Sequence, residues 1–191
     1  MLRCKMKVTF IGNCQLVALC YYIQHLVDDA RWVCYGDEFL PHLTSWSDKC
    51  EDKILDHDGA IARVRDSDVI VYQEVTGWKS SFCNERTLRE LKSSGCMLIK
   101  VPSIQWDYSD ADILKGLQAR EIANNVDITA SDMFERFKDT KLMLDICHPT
   151  TFMFLELVRE ICKRTGVDFF TDEQAALFLE DENHMGLGRV A

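Results

Sequence analysis

Short apolar runs alternate with stretches of helical periodicity along most of the chain. Residues 6–11 and 68–73 are nearly continuous β-branched and apolar runs, which are typical of strands buried in a parallel sheet. Between them, apolar residues recur every three or four positions over residues 16–27, which predicts an amphipathic helix. Further strands are predicted at Arg31–Tyr35 and Cys96–Val101, the second of which Pro102 ends.

Later segments of the chain keep the helical spacing and carry capping residues. Asp127 and Ser131 are candidate caps, and Pro149 suits the first position of a helix. Helices are predicted at Asn84–Ser93, Ala111–Glu121, Ser131–Phe137, Pro149 to Cys162 and Asp172–Glu180, with partial helix over residues 45–64, a short apolar segment at 141–146 and a frayed tail at 181–191. Strands alternating with helices predict an α/β fold, a three-layer sandwich whose mostly parallel sheet is flanked by helices.

Length and charge narrow the class of protein. A chain of 191 residues suits one domain, and we expect a single α/β domain over residues 1–191. The net charge of −9 disfavours nucleic acid as a partner, because duplex binding needs many basic contacts to phosphates. The apolar runs are far shorter than a membrane span of about 20 residues, and Gly12 interrupts the only early one, so we expect a cytoplasmic protein.

Nine cysteines are an unusually high count for a chain of this length. Five of them lie in apolar patterns and are predicted to be buried core thiols in a reducing compartment: Cys20, Cys34, Cys96, Cys147 and Cys162. A structural zinc site would need pairs such as C-x-x-C or histidines four residues apart, and the sequence has neither. We therefore expect no metal.

The ends of the predicted strands place three polar segments, Gly12–Gln15, Gln73–Trp78 and Pro102–Tyr108, at one edge of the sheet, where ligands bind in folds of this kind. The first is Gly12–Gln15, in which Cys14 begins the predicted helix. Unpaired amides and the helix dipole favour a thiolate there, so Cys14 is the candidate nucleophile, with a buried structural thiol as the alternative. Gly12 permits the sharp turn, while the Asn13 and Gln15 amides are candidates to orient a substrate carbonyl.

A thiol nucleophile needs a base, and His148 is the candidate that the sequence favours among five histidines. Asp145 lies three residues earlier, so one turn can bring its carboxylate to a ring nitrogen and leave the other nitrogen to face Cys14. The predicted helix start at Pro149 places His148 at a helix N-terminus, where the dipole disfavours a charged ring. The alternative is a histidine that only caps the helix.

Other polar and aromatic residues near the same edge are candidates for binding substrate. Gln73 ends the most apolar strand, where its amide can complete an oxyanion hole with the Cys14 N–H or merely cap the sheet edge. Trp106, with Trp78, can stack on a base or sugar ring, or pack against the core. Lys79 and Arg86 are candidate phosphate partners or solvated surface charges.

Four short motifs resemble the WcbI-like polysaccharide biosynthesis family. They are Gly12-Asn13-Cys14-Gln15, Gln73 after Asp68-Val69-Ile70-Val71, Val101-Pro102-Ser103, and His148-Pro149-Thr150. The resemblance implies an SGNH- or flavodoxin-like α/β fold and acetyl transfer from coenzyme A. Gly12–Cys14 is similar to the Gly-Asp-Ser block of SGNH hydrolases and Asp145–His148 to their Asp-x-x-His block, whereas Gly36 and Gln73 match their oxyanion residues only loosely.

These observations lead to one expected activity and two alternatives. We expect an acyltransferase in which Cys14, His148 and Asp145 move an acetyl group from acetyl-CoA to a glycan hydroxyl, with Gln73 and the Cys14 amide holding the oxyanion. Coenzyme A is expected to contact Ser103, Trp106, Lys79 and Arg86. The alternatives are an SGNH-like esterase or thioesterase, and a non-catalytic module that binds coenzyme A or a glycan.

Overall fold

Four parallel strands form the sheet in the first half of the chain. The computed structural model describes residues 3–33, 57–73, 85–106 and 112–180. Within them the strands are β1 (Cys4–Ile11), β2 (Val27–Val33), β3 (Val69–Tyr72) and β4 (Met97–Lys100), in the spatial order β2-β1-β3-β4. The chain leaves β1 toward one side for β2 and returns to the other side for β3, so the topology switches between β1 and β3.

Seven helices lie within the same described ranges. They are α1 (Cys14–Ile23), α2 (His57–Arg65), α3 (Glu85–Leu91), α4 (Ile113–Asn124), α5 (Ala130–Arg136), α6 (Thr151–Thr165) and α7 (Asp172–Glu180). None of them is both long enough and apolar enough to cross a membrane.

The first of two compact units, Met1–Lys100, contains the whole sheet. Helices α2 and α3 cover one face through a shared core of Ile11, Val33, Ala60, Val64, Ile70, Tyr72, Leu88 and Cys96. Helix α1 contacts β1 and β2, and the right-handed crossover rule places it on the opposite face, because the chain moves in opposite directions across the sheet. The predicted α/β sandwich with a parallel sheet is confirmed, whereas a single domain over 1–191 stays a prediction.

A buried polar network fixes α2 on the sheet. The Arg63 side chain is 9% exposed and donates to Thr9 Oγ1 at 2.8 Å and to Asp29 Oδ2 at 2.6 Å. Thr9 and Ser67 hydroxyls lie 2.6 Å apart, and Ser67 donates to the Arg63 carbonyl at 2.7 Å. Because the charge of Asp29 is neutralised in this way, β2 tolerates an aspartate in its middle.

The second unit, Val101–Ala191, is described as helices α4 to α7 and their connections. Glu121 of α4 is buried and accepts hydrogen bonds from the Ala130 amide at 2.6 Å and from the Ser131 amide and hydroxyl. The Glu121 carboxylate thus accepts from the N-terminal amides of α5. The sequence predicted Asp127 and Ser131 as the residues that cap this helix. Thr129 is the N-cap residue and Ser131 lies inside the helix, so that prediction is wrong. Burial raises the pKa of Glu121, although the hydrogen bonds oppose the shift.

Several element boundaries also differ from the predictions. The chain turns at residues 24–26, so Val27, predicted as helical, begins β2 and pairs with Cys4; β2 ends at Val33 within the described residues. The helical spacing gave the wrong boundary because Val27, the first residue of β2, happens to continue the apolar spacing of α1. Helix α6 begins at Thr151, with Thr150 as its N-cap, and not at Pro149. The segment 141–146 forms only one isolated bridge, between Met143 and Pro149.

Candidate functional site

The turn after β1 lies at the topological switch point of the sheet. Gly12 and Asn13 connect β1 to α1, and Cys14 is the first residue of that helix. The Asn13 side chain caps α1 by accepting from the Gln15 amide at 2.9 Å. In open α/β sheets the ligand crevice forms at such a point, where neighbouring connections leave the strand ends in opposite directions.

Gln73 joins this turn to the end of β3. Its side chain is 1% exposed; Oε1 accepts from the Asn13 amide at 3.4 Å, and Nε2 donates to Gln15 Oε1 at 3.2 Å. The structure therefore brings Gly12, Asn13, Cys14, Gln15 and Gln73 together. One of the two Gln73 N–H groups is directed at Gln15, so the structure shows a brace for the turn, while its oxyanion role stays a prediction.

Gly12 is required by close contacts and not by an unusual backbone angle. A Cβ atom at this position would lie 2.7 Å from Leu16 Cγ and 2.9 Å from Gln73 Oε1. The Gly12 carbonyl accepts a hydrogen bond from Trp32 Nε1 at 3.1 Å. Strand β2, helix α1 and strand β3 thus all meet at one glycine.

Cys14 differs in environment from the core thiols. It is half-buried, whereas Cys20, Cys96 and Cys162 are buried as predicted. Burial raises the pKa of Cys162 to about 12, with a further contribution from the charge of Asp168, and burial likewise raises that of Cys96. Such thiols are inert as nucleophiles because the thiolate is the reactive form. Cys34 lies outside the described residues.

Cys147 is exposed, so its prediction as a core thiol is wrong. The residue lies in the turn 144–148 directly before α6, where its Sγ is 3.6 Å from His148 Nδ1. The prediction rested on the apolar segment that ends at Ile146, but Ile146 is itself 58% exposed. Apolar composition is a weak signal of burial over so short a segment.

Asp145 organises the turn 144–148. Its Oδ1 accepts from the backbone amides of Cys147 and His148, both at 2.9 Å, and its Oδ2 lies 2.6 Å from His148 Nδ1. Partial burial acts to raise the pKa of Asp145, but these hydrogen bonds outweigh it and hold the pKa below its ordinary value. An ionised carboxylate only accepts, so Nδ1 carries the proton and Nε2 is the nitrogen that can act as a base.

Backbone hydrogen bonds close this turn on itself. The Leu144 amide donates to the His148 carbonyl at 2.7 Å, and the Thr150 amide donates to the Leu142 carbonyl at 2.9 Å. The Trp106 amide donates to the Ile146 carbonyl at 2.7 Å. Helix α6 has Thr150 as its N-cap, so His148 lies two residues before the cap. The predicted position of His148 at the helix start is therefore wrong.

The structure places the two halves of the predicted catalytic set in different compact units. Cys14 with its surrounding amides belongs to the first unit, while Asp145 and His148, which it brings into contact, belong to the second. The joint role of Cys14 and His148 stays a prediction.

The residues expected to contact coenzyme A have varied surroundings. Trp106 stacks on Phe134 with ring centroids 3.7 Å apart, so one ring face packs within the second unit. Arg86 is exposed and donates to Glu90 at 3.0 Å, one turn along α3. Ser103 is half-buried in segment 101–106, which has no regular secondary structure, and Gly36, Trp78 and Lys79 lie outside the described residues.

Sequence reasoning missed a buried lysine at the same edge of the sheet. Lys100 ends β4; its Nζ lies 3.7 Å from Glu85 Oε2 and 5.9 Å from the centre of the Tyr72 ring. Hydrogen bonds from Arg89 and Tyr72, with the charge of Lys100, hold the pKa of Glu85 below its ordinary value against partial burial. The sequence contains a signal for this lysine, because Lys100 directly continues the apolar run Met97–Ile99. A lysine buried at the end of a strand needs an acidic partner to neutralise its charge.

Comparisons with known proteins add little to this geometry. No protein-family model and no curated protein sequence matches the chain. Among solved structures, the chain is similar to an imine reductase from Myxococcus stipitatus, a V8 variant in complex with NAD+. The identity is 13%, the TM-score is 0.34, and the match covers 96% of this chain and 74% of that one. At this TM-score the likeness says nothing about chemistry, so the function is argued from the residues.

Proposed function

We propose that this protein is an acyltransferase that moves an acetyl group from a coenzyme A thioester to a glycan hydroxyl. The observation that carries the proposal is the position of Cys14. It is a half-buried thiol at the first residue of a helix, on the switch point of a parallel sheet. The resemblance of four short motifs to the WcbI-like family supports the choice of donor and acceptor.

The mechanism assigns a separate task to each residue. Nε2 of His148 takes the Cys14 thiol proton, and Asp145 holds the Nδ1 proton in place. The thiolate attacks the thioester carbonyl, coenzyme A leaves as its thiol after receiving the proton from His148, and an acetyl-cysteine remains. A glycan hydroxyl then gives its proton to His148 and attacks this thioester, which restores the Cys14 thiol.

The amides around Cys14 are proposed to hold the oxyanion and the substrate. The N–H of Cys14 and the side-chain amide of Gln73 are the proposed donors, and the brace from Gln73 to Asn13 and Gln15 positions that amide beside the turn. Ser103, Trp106, Lys79 and Arg86 are the proposed contacts for coenzyme A, and Arg86 must leave Glu90 to reach a phosphate.

The experiment is intact-protein mass spectrometry after incubation with acetyl-CoA. We expect an adduct of about 42 Da on the wild-type chain, absent in Cys14→Ala and retained in Cys147→Ala, because the mechanism uses only the first thiol. Cys147 is the matched control, since its sulfur lies 3.6 Å from the His148 ring. An adduct that disappears with Cys147 and persists without Cys14 would show the nucleophile to be misassigned.

A second measurement separates the remaining mechanisms. His148→Ala is expected to slow adduct formation roughly 10²- to 10⁴-fold, the usual contribution of a general base. Product analysis with and without a polyol acceptor distinguishes acyl transfer from thioester hydrolysis. Acyl transfer that needs His148 but survives Cys14→Ala indicates direct attack by the acceptor, and binding of coenzyme A without turnover indicates a non-catalytic module.

A further inference from the structure

We propose that Asp145, Cys147 and His148 form a binding site for a divalent cation of the zinc class. One carboxylate oxygen, one thiol sulfur and one imidazole nitrogen lie within 4.8 Å of one another on the turn 144–148. They are the three kinds of ligand that proteins use for zinc. The site shares Asp145 and His148 with the proposed acyl transfer and adds Cys147, which that mechanism does not use.

The spacing of sulfur and nitrogen fits tetrahedral coordination. Sγ of Cys147 lies 3.6 Å from Nδ1 of His148. With zinc bonds of about 2.3 Å to sulfur and about 2.0 Å to nitrogen, two ligands at the tetrahedral angle are about 3.5 Å apart. These two atoms therefore already stand at a ligand-to-ligand distance.

The carboxylate supplies the third ligand through Oδ2. Its other oxygen, Oδ1, is held by the backbone amides of Cys147 and His148, which fix the carboxylate over the turn. Oδ2 lies 2.6 Å from Nδ1, a hydrogen-bond distance, and a cation replaces the proton between them. The two atoms then separate to about 3.3 Å, the spacing of tetrahedral oxygen and nitrogen ligands.

Binding conserves charge and protons in a simple way. The Cys147 thiol loses its proton to solvent. The neutral His148 ring loses its Nδ1 proton to solvent and takes up one proton at Nε2. In total, one proton is released for each cation bound. Asp145 and Cys147 are exposed, which leaves the fourth position open to water. A sulfur with an imidazole selects borderline and soft cations over Mg²⁺ and Ca²⁺.

Cobalt(II) tests the site because its spectrum reports both sulfur ligation and geometry. The full chain, reduced and metal-free, is titrated with Co²⁺, and we expect a sulfur-to-cobalt charge-transfer band with intense tetrahedral visible bands at one ion per chain. Cys147→Ser should abolish the charge-transfer band, and Cys4→Ser should retain it. Cys4 is a suitable control because its thiol is half-buried on β1, in the other unit.

Further variants distinguish a three-ligand site from a thiol acting alone. Asp145→Asn and His148→Gln should each weaken zinc binding at least tenfold by calorimetry, while circular dichroism confirms that both variants remain folded. A charge-transfer band that persists in Cys147→Ser overturns the proposal, since another cysteine then binds the ion. Zinc affinity unchanged in both folded variants overturns it as well. Neither readout involves acetyl-CoA, so failure of acyl transfer leaves this test intact.

Discussion

The turn after β1 and the turn before α6 hold their candidate catalytic side chains by opposite means. The first is braced by the buried, uncharged amide of Gln73, which contacts Asn13 across 60 positions of sequence. The second is braced by the exposed carboxylate of Asp145, three residues from His148. The geometry around Cys14 therefore depends on the assembled sheet, whereas the geometry around His148 is mostly local.

Removing the long-range brace should have the largest effect. Gln73→Ala leaves a cavity and deprives the buried Gln15 Oε1 and the Asn13 amide of a partner. We expect a loss of about 3 kcal/mol in the free energy of unfolding, from the lost hydrogen bonds and the cavity together. Urea denaturation followed by circular dichroism measures it.

Gln118→Ala is the matched control for that substitution. Gln118 is half-buried on α4 and donates to Glu135 at 2.9 Å on the surface. Its loss should change the free energy of unfolding by less than about 0.5 kcal/mol, as is usual for surface substitutions. Equal effects of the two substitutions would mean that Gln73 does not brace the turn.

Adding one methyl group to the first turn should have the next largest effect. In Gly12→Ala the new Cβ meets Leu16 Cγ and Gln73 Oε1 at under 3 Å, so the buried leucine or the braced amide must shift. We expect a loss of about 2 kcal/mol, the usual cost of overpacking a core. Gly95→Ala, where no atom lies within 4 Å of the added Cβ, should be nearly neutral by the same denaturation measurement.

This contrast also explains which features could be predicted from the sequence. The strands β1 and β3, the helix start at Cys14 and the pairing of Asp145 with His148 each follow from patterns of a few residues, and the structure has all of them. The hydrogen bonds of Gln73 could not be predicted, because they depend on which strand lies beside β1. The switch of topology between β1 and β3 decides this, and no local pattern encodes it.

The predictions that failed did so where local patterns compete. Val27 fits the stripe of α1, but its pairing with Cys4 in the sheet outweighs helical spacing. Cys147 has an apolar neighbour, yet the hydrogen bonds of Asp145 to two amides close a turn that leaves the thiol exposed. Helix α6 begins at Thr151 because the Thr150 hydroxyl accepts from the Met153 amide.

The two turns should respond differently to acid, and this is the smallest of the expected effects. The pKa of Asp145 is lower in the folded chain than its ordinary value of 3.8, so its ionised form stabilises the turn above about pH 3.8. That stabilisation is lost as the pH falls through 3.8 toward the folded pKa. The hydrogen bonds of Gln73 that brace the turn after β1 join uncharged amides, so we expect them not to respond over this range.

Amide chemical shifts and hydrogen exchange report the two turns separately. As the pH falls from about 5 through the folded pKa of Asp145, the Cys147 and His148 amides should shift and lose protection, because their acceptor becomes protonated. The Asn13 and Gln15 backbone N–H groups donate to uncharged amide oxygens, so their chemical shifts and protection should stay unchanged. Asp145→Asn should remove the response at residues 147 and 148. If the amides of residues 147 and 148 still respond to acid in this variant, another carboxyl group causes the response. The contrast between a charged local brace and an uncharged long-range brace would then be wrong.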